Sequence, residues 1–547
     1  MSNENRAQRG RPEQAQTNRD RATLALHLIL LTAVSTWFES LFVHQGLNLL
    51  DEGWIYYTAK QLHEGGTLYE DVFFVFPPLH ALPAWIGYAL DPPGLIVTRW
   101  IYAMLNVALC ISLYLLGRCL MEPRYALIGA LLLSLNSASS HASHYLFAYR
   151  YVGFSVLALL AFHSRQRSGD ARWLVAAGAL AGIGLCFRLT PTFAVSIAIG
   201  LGILASTRDW RVWVRDGSSY AAGLLTVSGP VIAWYAWTVG PSVLWSEVVQ
   251  RPVEMTALQS LPVPDLFLPA WSDRAQIEGA FVALEFRIAI AVAGGYLAWV
   301  LWGWQRDLRA GHAYRNPLLL ALSVFAAVYL TRAFGRACSG HLTSAIPPIL
   351  LLMGHLLGSL DQGVRRWLPT RWASGIAVTV GILLLAGWTV AQRSDQWILG
   401  TLGGHRPIPE TGNRVFRDAF IPHSVDLGVR WIKQATKPGD VVLDLSSSPM
   451  LHVLTGRRGP GVADIVMPGT FRDEAEEARF LEHMIEDPPD FVLTPAKPFD
   501  GREERGFAQT APLLAAWINE NYQVRERSWA FVGWVPRAQK PSRQGRP

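Results

Sequence analysis

DEGWIYYTAKQLHEGGTLYEDVFFVFPPLHALP, residues 51–83, follows directly on the first long apolar segment of the chain. It opens with two adjacent carboxylates, Asp51 and Glu52, at a depth where an acid is costly and is usually kept for function. Aromatic residues follow, among them Tyr56 and Tyr57, then a Gly65-Gly66 turn, Asp71, and the run Phe76-Pro77-Pro78-Leu79 with His80 behind it. A solvated helix end is the plainer account of the two acids, because carboxylates cap helices and face water near headgroups. The pattern as a whole predicts a site held at a bilayer surface.

Composition agrees with a membrane setting. The 547 residues are 51% hydrophobic and only 16% charged, with a mean hydropathy of +0.21, which is too apolar for one soluble core. Many of the 22 tryptophans border apolar runs, as interfacial rings do. The net charge of +6 is carried mainly by arginines spaced between apolar segments rather than gathered on one face, which argues against a nucleic-acid partner. The four cysteines show no CxxC or Cys/His metal spacing, so neither a disulfide framework nor a structural zinc site is expected.

Apolar segments able to span roughly 30 Å of hydrocarbon fall near 22–44, 95–117, 124–140, 145–163, 173–188, 190–206, 218–239, 281–304, 317–332, 341–358 and 372–391. The expected fold class is therefore mainly α: a polytopic membrane protein of about 11 transmembrane helices, closed by a C-terminal soluble α/β domain. Arginines before the first segment and in every second connection give an N-in, C-out orientation. That register makes the stretch 78–90 a short interfacial helix between prolines, not a crossing. The expected organisation is a disordered cytosolic tail at 1–21, a membrane module at 22–392 and an external domain at 393–547. The first external loop is 45–94, with a helix from Trp54 to Glu64, and the second is 240–280, a proline-rich lid or connector. In the external domain the pattern predicts strands at Val441–Leu445, Phe491–Leu493 and Trp529–Trp534, and helices near 424–436, 472–486 and 511–521.

A carboxylate at the outer face can deprotonate an acceptor hydroxyl or amine. Asp51 is the candidate base, since it lies nearest the first span and Glu52 on the next position faces elsewhere. Arg150, Arg188, Arg332 and Arg336 sit at expected outer ends, against the positive-inside trend, and a guanidinium fork suits a lipid-linked phosphate. Each could instead snorkel to headgroups or pair with an acid. His80, His141, His144 and His341 are weak metal candidates, because no matched acids complete a site.

These residues resemble the glycosyltransferase-C superfamily, in its bacterial branch akin to the aminoarabinose transferase of lipid A and to protein O-mannosyltransferases. The likeness rests on Asp51-Glu52-Gly53 followed by Tyr56, Ala59, Gly66, Tyr69, Asp71, Phe73-Phe74 and Pro77-Pro78-Leu79. Arg99, the glycine-rich run ending at Arg188, His341 and Pro347-Pro348 are weaker features of it. The resemblance implies a polyprenyl-phosphate-sugar donor, inversion at the sugar carbon and Asp51 as base. Glu52, Tyr56, Tyr57, Asp71, His80, Arg150, Arg188, Arg332, Arg336 and His341 would line the substrate site, with the arginines on the donor phosphate. The acceptor would be an envelope lipid, glycan or protein, at a bacterial cytoplasmic membrane with the C-terminal domain outside. The segment HASHYLFAYRYVGF, 141–154, lacks the second aspartate that several relatives carry, which tells against a two-carboxylate metal mechanism. No cofactor is expected, although a divalent metal stays open. A transporter or flippase of a lipid-linked anion would place the same groups along a path between repeated halves, and a scaffold would leave Asp51 replaceable.

Overall fold

The structure is a computed structural model that describes residues 3–44, 46–92, 95–135, 148–264, 274–367, 375–376, 379–381, 383, 408–412, 424–461 and 463–537. Its first half and middle are helical. The helices are α1 (Asn3–Ser40), α2 (Asp51–His63), α3 (Leu82–Leu90), α4 (Leu95–Gly117), α5 (Pro123–Ser134), α6 (Val152–Ser168), α7 (Arg172–Phe187), α8 (Leu189–Ser206) and α9 (Trp210–Val239). They continue as α10 (Pro241–Trp245), α11 (Arg251–Leu258), α12 (Arg274–Arg309), α13 (Pro317–Gly335), α14 (Ser339–Ala345) and α15 (Pro347–Val364).

Six helices among the described residues are long and apolar enough to cross a membrane: 18–40 of α1, α4, α8, α9, 282–309 of α12, and α13. α5 and α7 are apolar but shorter. Their shared core contains Leu113, Leu159, Ala198, Phe325 and Leu350, all fully buried. The outward side of α9 instead exposes Trp234 and Trp237, the latter 88% exposed, as a lipid-facing helix does. Close helix contact rests on small residues: a Cβ on Gly178 of α7 would lie 1.9 Å from the Tyr220 carbonyl of α9.

Several expectations shift. α1 begins at Asn3, inside the segment expected to be a disordered tail. α2 begins at Asp51 rather than Trp54, because Asn48 Oδ1 accepts from the Leu50 and Asp51 amides at 2.9 and 2.7 Å and starts the helix early. Residues 78–90 form a 3₁₀ turn, Pro78–Ala81, and the nine-residue α3. At 1.5 Å per residue α3 is less than half the hydrocarbon thickness. The second loop is largely helical, with a π-turn at Ser246–Gln250 between α10 and α11. His141, His144 and most of the segment 372–391 lie outside the described residues.

The C-terminal part has a four-stranded sheet made of β1 (Val442–Asp444), β2 (Phe491–Pro495), β3 (Tyr522–Arg527) and β4 (Phe531–Pro536), in the order β1-β2-β4-β3. β1 and β2 are parallel, the other pairs antiparallel. β3 escapes the hydrophobic pattern because it is an edge strand of mostly exposed Gln, Arg and Glu. The helices Ser424–Ala435, Glu474–Glu486 and Pro512–Asn521 cover the sheet, and Asp473 caps the second by accepting from Glu476 N.

This domain sits on both loops. The Met450 amide donates to Leu49 O at 3.2 Å, and a Cβ on Gly53 would lie 2.3 Å from Met450 N. Backbone meets backbone there, so neither side can yield. Gly53→Val is therefore expected to cost roughly 1–3 kcal/mol or more and to loosen the domain, seen as a lower unfolding temperature in detergent and faster proteolysis of the helix Met450–Thr455.

Candidate functional site

The first turn of α2 carries Asp51 and Glu52, where the helix dipole favours carboxylates. Adjacent helical positions diverge by about 100°, so the two acids go to different places. Glu52 turns inward and is 0% exposed. Arg99 of α4 meets it with Nε and a second guanidinium nitrogen at 2.6 and 2.8 Å, and donates besides to the Val43 and Gly46 carbonyls at 2.9 and 2.7 Å. Both oxygens are thereby held, and Glu52 secures the loop instead of lining an open substrate site.

Asp51 turns outward and its side chain is open to solvent. Asn48 Nδ2 approaches its Oδ2 at 3.4 Å. The surrounding protein raises the carboxyl above its ordinary pKa, and Arg336 opposes that shift. Arg336 itself donates to Asp500 of the C-terminal domain, to the Gln259 carbonyl at 3.1 Å, and lies 5.3 Å from the Phe499 ring.

Arg188 joins the same neighbourhood from the α7–α8 junction, where its guanidinium sits 4.6 Å from the Phe76 ring and is near enough to Arg332 for the two to repel. Arg332 donates to Ser344 Oγ. His341, at 3.2 Å from Cys338 Sγ, feels Arg332, Arg336 and Arg188 together. His80 closes one side, with Nδ1 on the Phe187 carbonyl at 3.0 Å and its ring stacked on Phe76 at 4.4 Å. Burial, with help from Arg188, pushes it down to about 3, so it is a neutral wall. Asp51, His80, Arg188, Arg332, Arg336 and His341 thus converge at the end of the bundle capped by the C-terminal domain.

The other expected residues do not join them. Tyr56 is in the core, donating to Leu95 O at 2.7 Å. Tyr57 accepts from the Gly459 amide at 2.6 Å and stacks on His452 at 4.7 Å, which commits it to the domain contact. Asp71 Oδ2 accepts from its own turn, from Thr67 N at 2.9 Å. Arg150 lies inside the bundle, 3.9 Å from Glu39 and 5.8 Å from the Tyr102 ring. Glu39, fully buried and accepting from Asn106 at 2.6 Å, was overlooked, although an acid within the first apolar segment is itself a signal. Also unforeseen is the network in which Glu247 of the π-turn accepts from Arg251 and from Arg472 at 2.6 and 2.8 Å, while Arg251 also reaches Glu476. Among the described residues no three His, Cys, Asp or Glu side chains gather closely enough to hold a metal ion.

Replacing one member of the Glu52–Arg99 pair leaves a buried charge alone. Arg99→Met is expected to cost about 3–5 kcal/mol, and the double variant with Glu52→Gln to recover part of it, read from unfolding curves of the four proteins.

A second buried acid lies in the domain contact. Asp464 accepts from Gln61 Nε2 of α2 at 2.6 Å. Burial, with Asp444 adding to it, raises Asp464 to about 6. The folded state therefore holds this proton more tightly than the unfolded chain. Stability from Asp464 is present below the ordinary carboxylate range and is lost as pH rises to about 6. Asp464→Asn should flatten that loss in unfolding temperatures measured across the interval, with Asp444, also raised to about 6, leaving a residual slope.

Comparison with known proteins fits this geometry. Residues 76–237 match the family model described as dolichyl-phosphate-mannose-protein mannosyltransferase. No curated protein matches the chain. ArnT from Cupriavidus metallidurans bound to undecaprenyl phosphate is similar over 93% of this chain and 97% of its own, at 16% identity and a TM-score of 0.54. Its apo form gives 0.52 at 16% identity, over 95% of this chain and 98% of its own. The archaeal oligosaccharyltransferase AglB from Archaeoglobus fulgidus, in complex with an inhibitory peptide and a dolichol-phosphate, gives 0.50 at 12% identity, over 86% of this chain and 69% of its own. First-loop sequence, family match and architecture agree, and the chain has the fold of the glycosyltransferase-C superfamily.

Proposed function

We propose that the protein transfers a sugar from a polyprenyl-phosphate-sugar donor to an acceptor at the outer face of a bacterial cytoplasmic membrane, with inversion at the sugar carbon. The observation that carries this reading is the division of the first-loop acids: Glu52 is sealed against Arg99, while Asp51 is open and faces Arg336. The reading also draws on the fold and on the lipid phosphates named with ArnT and AglB.

In this mechanism Asp51 takes the proton of the acceptor hydroxyl or amine as that atom attacks the anomeric carbon. The bond from that carbon to the phosphate oxygen breaks, and polyprenyl phosphate leaves with the electron pair. Arg188, Arg332 and Arg336 stabilise the charge that develops on it. A divalent ion has no step in this account. The reading is completed by eleven crossings with the N-terminus in the cytosol. Both long loops and the C-terminal domain then lie outside, a placement supported by their mutual contacts.

The deciding comparison is wild type against Asp51→Asn in liposomes, supplied with labelled polyprenyl-phosphate sugars and extracted envelope acceptors. Transfer should fall by roughly 10²-fold or more while donor binding is kept. In wild type, activity should fall as pH drops through the titration of the Asp51 carboxyl, which the protein packed around it shifts upward from its ordinary value. Equal transfer by both proteins would remove Asp51 as the base.

A further inference from the structure

A cavity of about 330 Å³ lies not at Asp51 but between the first loop, the second loop and the C-terminal domain. Three separate parts of the chain build its wall: the first loop with Tyr69, Glu70 and Phe73, the second with Glu247 and Arg251, and the external domain with Phe471, Glu476 and Arg479. Its volume is at the small end of the ligand-pocket range, roughly 300–1,000 Å³, and suits a short oligomer of small rings. The inner wall connects to the reaction site, since Phe73 stacks on Trp54 of α2 at 5.7 Å, one turn from Asp51.

Charge decides the class of ligand. Glu247 and Glu476 are neutralised by Arg251 and Arg472. Glu70 and Arg479, both exposed, balance one another and form no ion pair or hydrogen bond with other described side chains. A cleft for phosphate would be cationic, as the Asp51 neighbourhood is; this one is lined by Glu70, Glu247 and Glu476 against Arg251 and Arg479, and Arg472 behind Glu247 brings the balance to zero. Phe471 is half-buried, leans on Phe480 at 5.4 Å and lines the cavity with it, whereas Phe73 is engaged by Trp54 and by Arg251 at 5.5 Å. Aromatic surface for C–H groups, beside a carboxylate and a guanidinium for hydroxyls, is the chemistry that recognises a neutral saccharide. Tyr69 adds a sign of selection: it is held at φ 70°, costly for a bulky residue, with its hydroxyl on Phe76 O at 2.6 Å.

We infer that this cleft binds the acceptor, and that the acceptor is a neutral oligosaccharide whose end reaches toward Asp51. The inference rests on the transferase reading for the word acceptor, but saccharide binding stands or falls separately. Full-length protein in lipid nanodiscs is titrated with maltotriose, mannotriose, chitotriose and a Ser/Thr-rich peptide, read by saturation-transfer NMR. At least one trisaccharide should bind, and Phe471→Ala and Arg479→Ala should each weaken it tenfold or more while polyprenyl-phosphate binding stays intact, which also shows that both variants are folded. Asp51→Asn should bind the trisaccharide as wild type does. Absence of binding by all three saccharides, unchanged affinity in both variants, or binding of the peptide alone would overturn the inference. Should Asp51→Asn instead prove fully active in transfer, the base assignment falls while the saccharide cleft remains.

Discussion

The ion pair between Glu52 and Arg99 is the constraint from which the rest of the site follows. Two charges with no solvent exposure are stable only when every remaining donor and acceptor is met, and Arg99 meets that condition by also binding the carbonyls of residues 43 and 46. The chain between α1 and α2 is thereby fixed to α4 at several points. Once Glu52 must face inward, helical geometry leaves Asp51 facing the opening. The same rotation presents Gly53, Tyr57 and Gln61 to the C-terminal domain. One buried pair therefore sets both the direction of the open carboxylate and the surface on which a second domain rests.

Around that anchor the end of the bundle capped by the C-terminal domain is divided electrostatically. On one side of α2 the arginines at 188, 332 and 336 accumulate positive charge with His80 and His341 kept among them. On the other, the contact between the second loop and the C-terminal domain is a mutually neutralised set of Glu and Arg residues. Arg336 links the two regions, because it senses Asp51 while donating to Asp500 at φ 57°. A non-glycine residue in that conformation is held by its surroundings, here by Arg336 and Arg505.

Much of this was legible in the sequence wherever a single periodic signal dominated. Six of the long apolar helices, the short helix between prolines and three strands of the C-terminal sheet follow from local pattern, and the resemblance in the first loop pointed to the right fold. Less legible was which polar residue faces which partner. Tyr56 and Tyr57 sit among the motif residues and were expected at the substrate, yet burial beside α4 and the external domain uses both hydroxyls. Arg150 was read as an outer-end cation but lies inward beside Glu39, a pairing that joins residues 111 positions apart in the chain. Long-range pairs of this kind, and the edge strand β3 with its polar face, leave no periodic trace.

The contact of Gln61 with Asp464 spans 403 positions, and it has a consequence for how the protein is made. At roughly 5–20 residues per second, α2 leaves the ribosome tens of seconds before the residues that cover it exist. During that interval Tyr57, buried at the end, is without the Gly459 amide and the His452 ring that will engage it. The helix that carries Asp51 is thus the last to reach its final surroundings. A chain stopped short of residue 464 would carry Asp51 without the surface that holds its helix, so synthesis itself delays the assembled site until the C-terminal domain has folded.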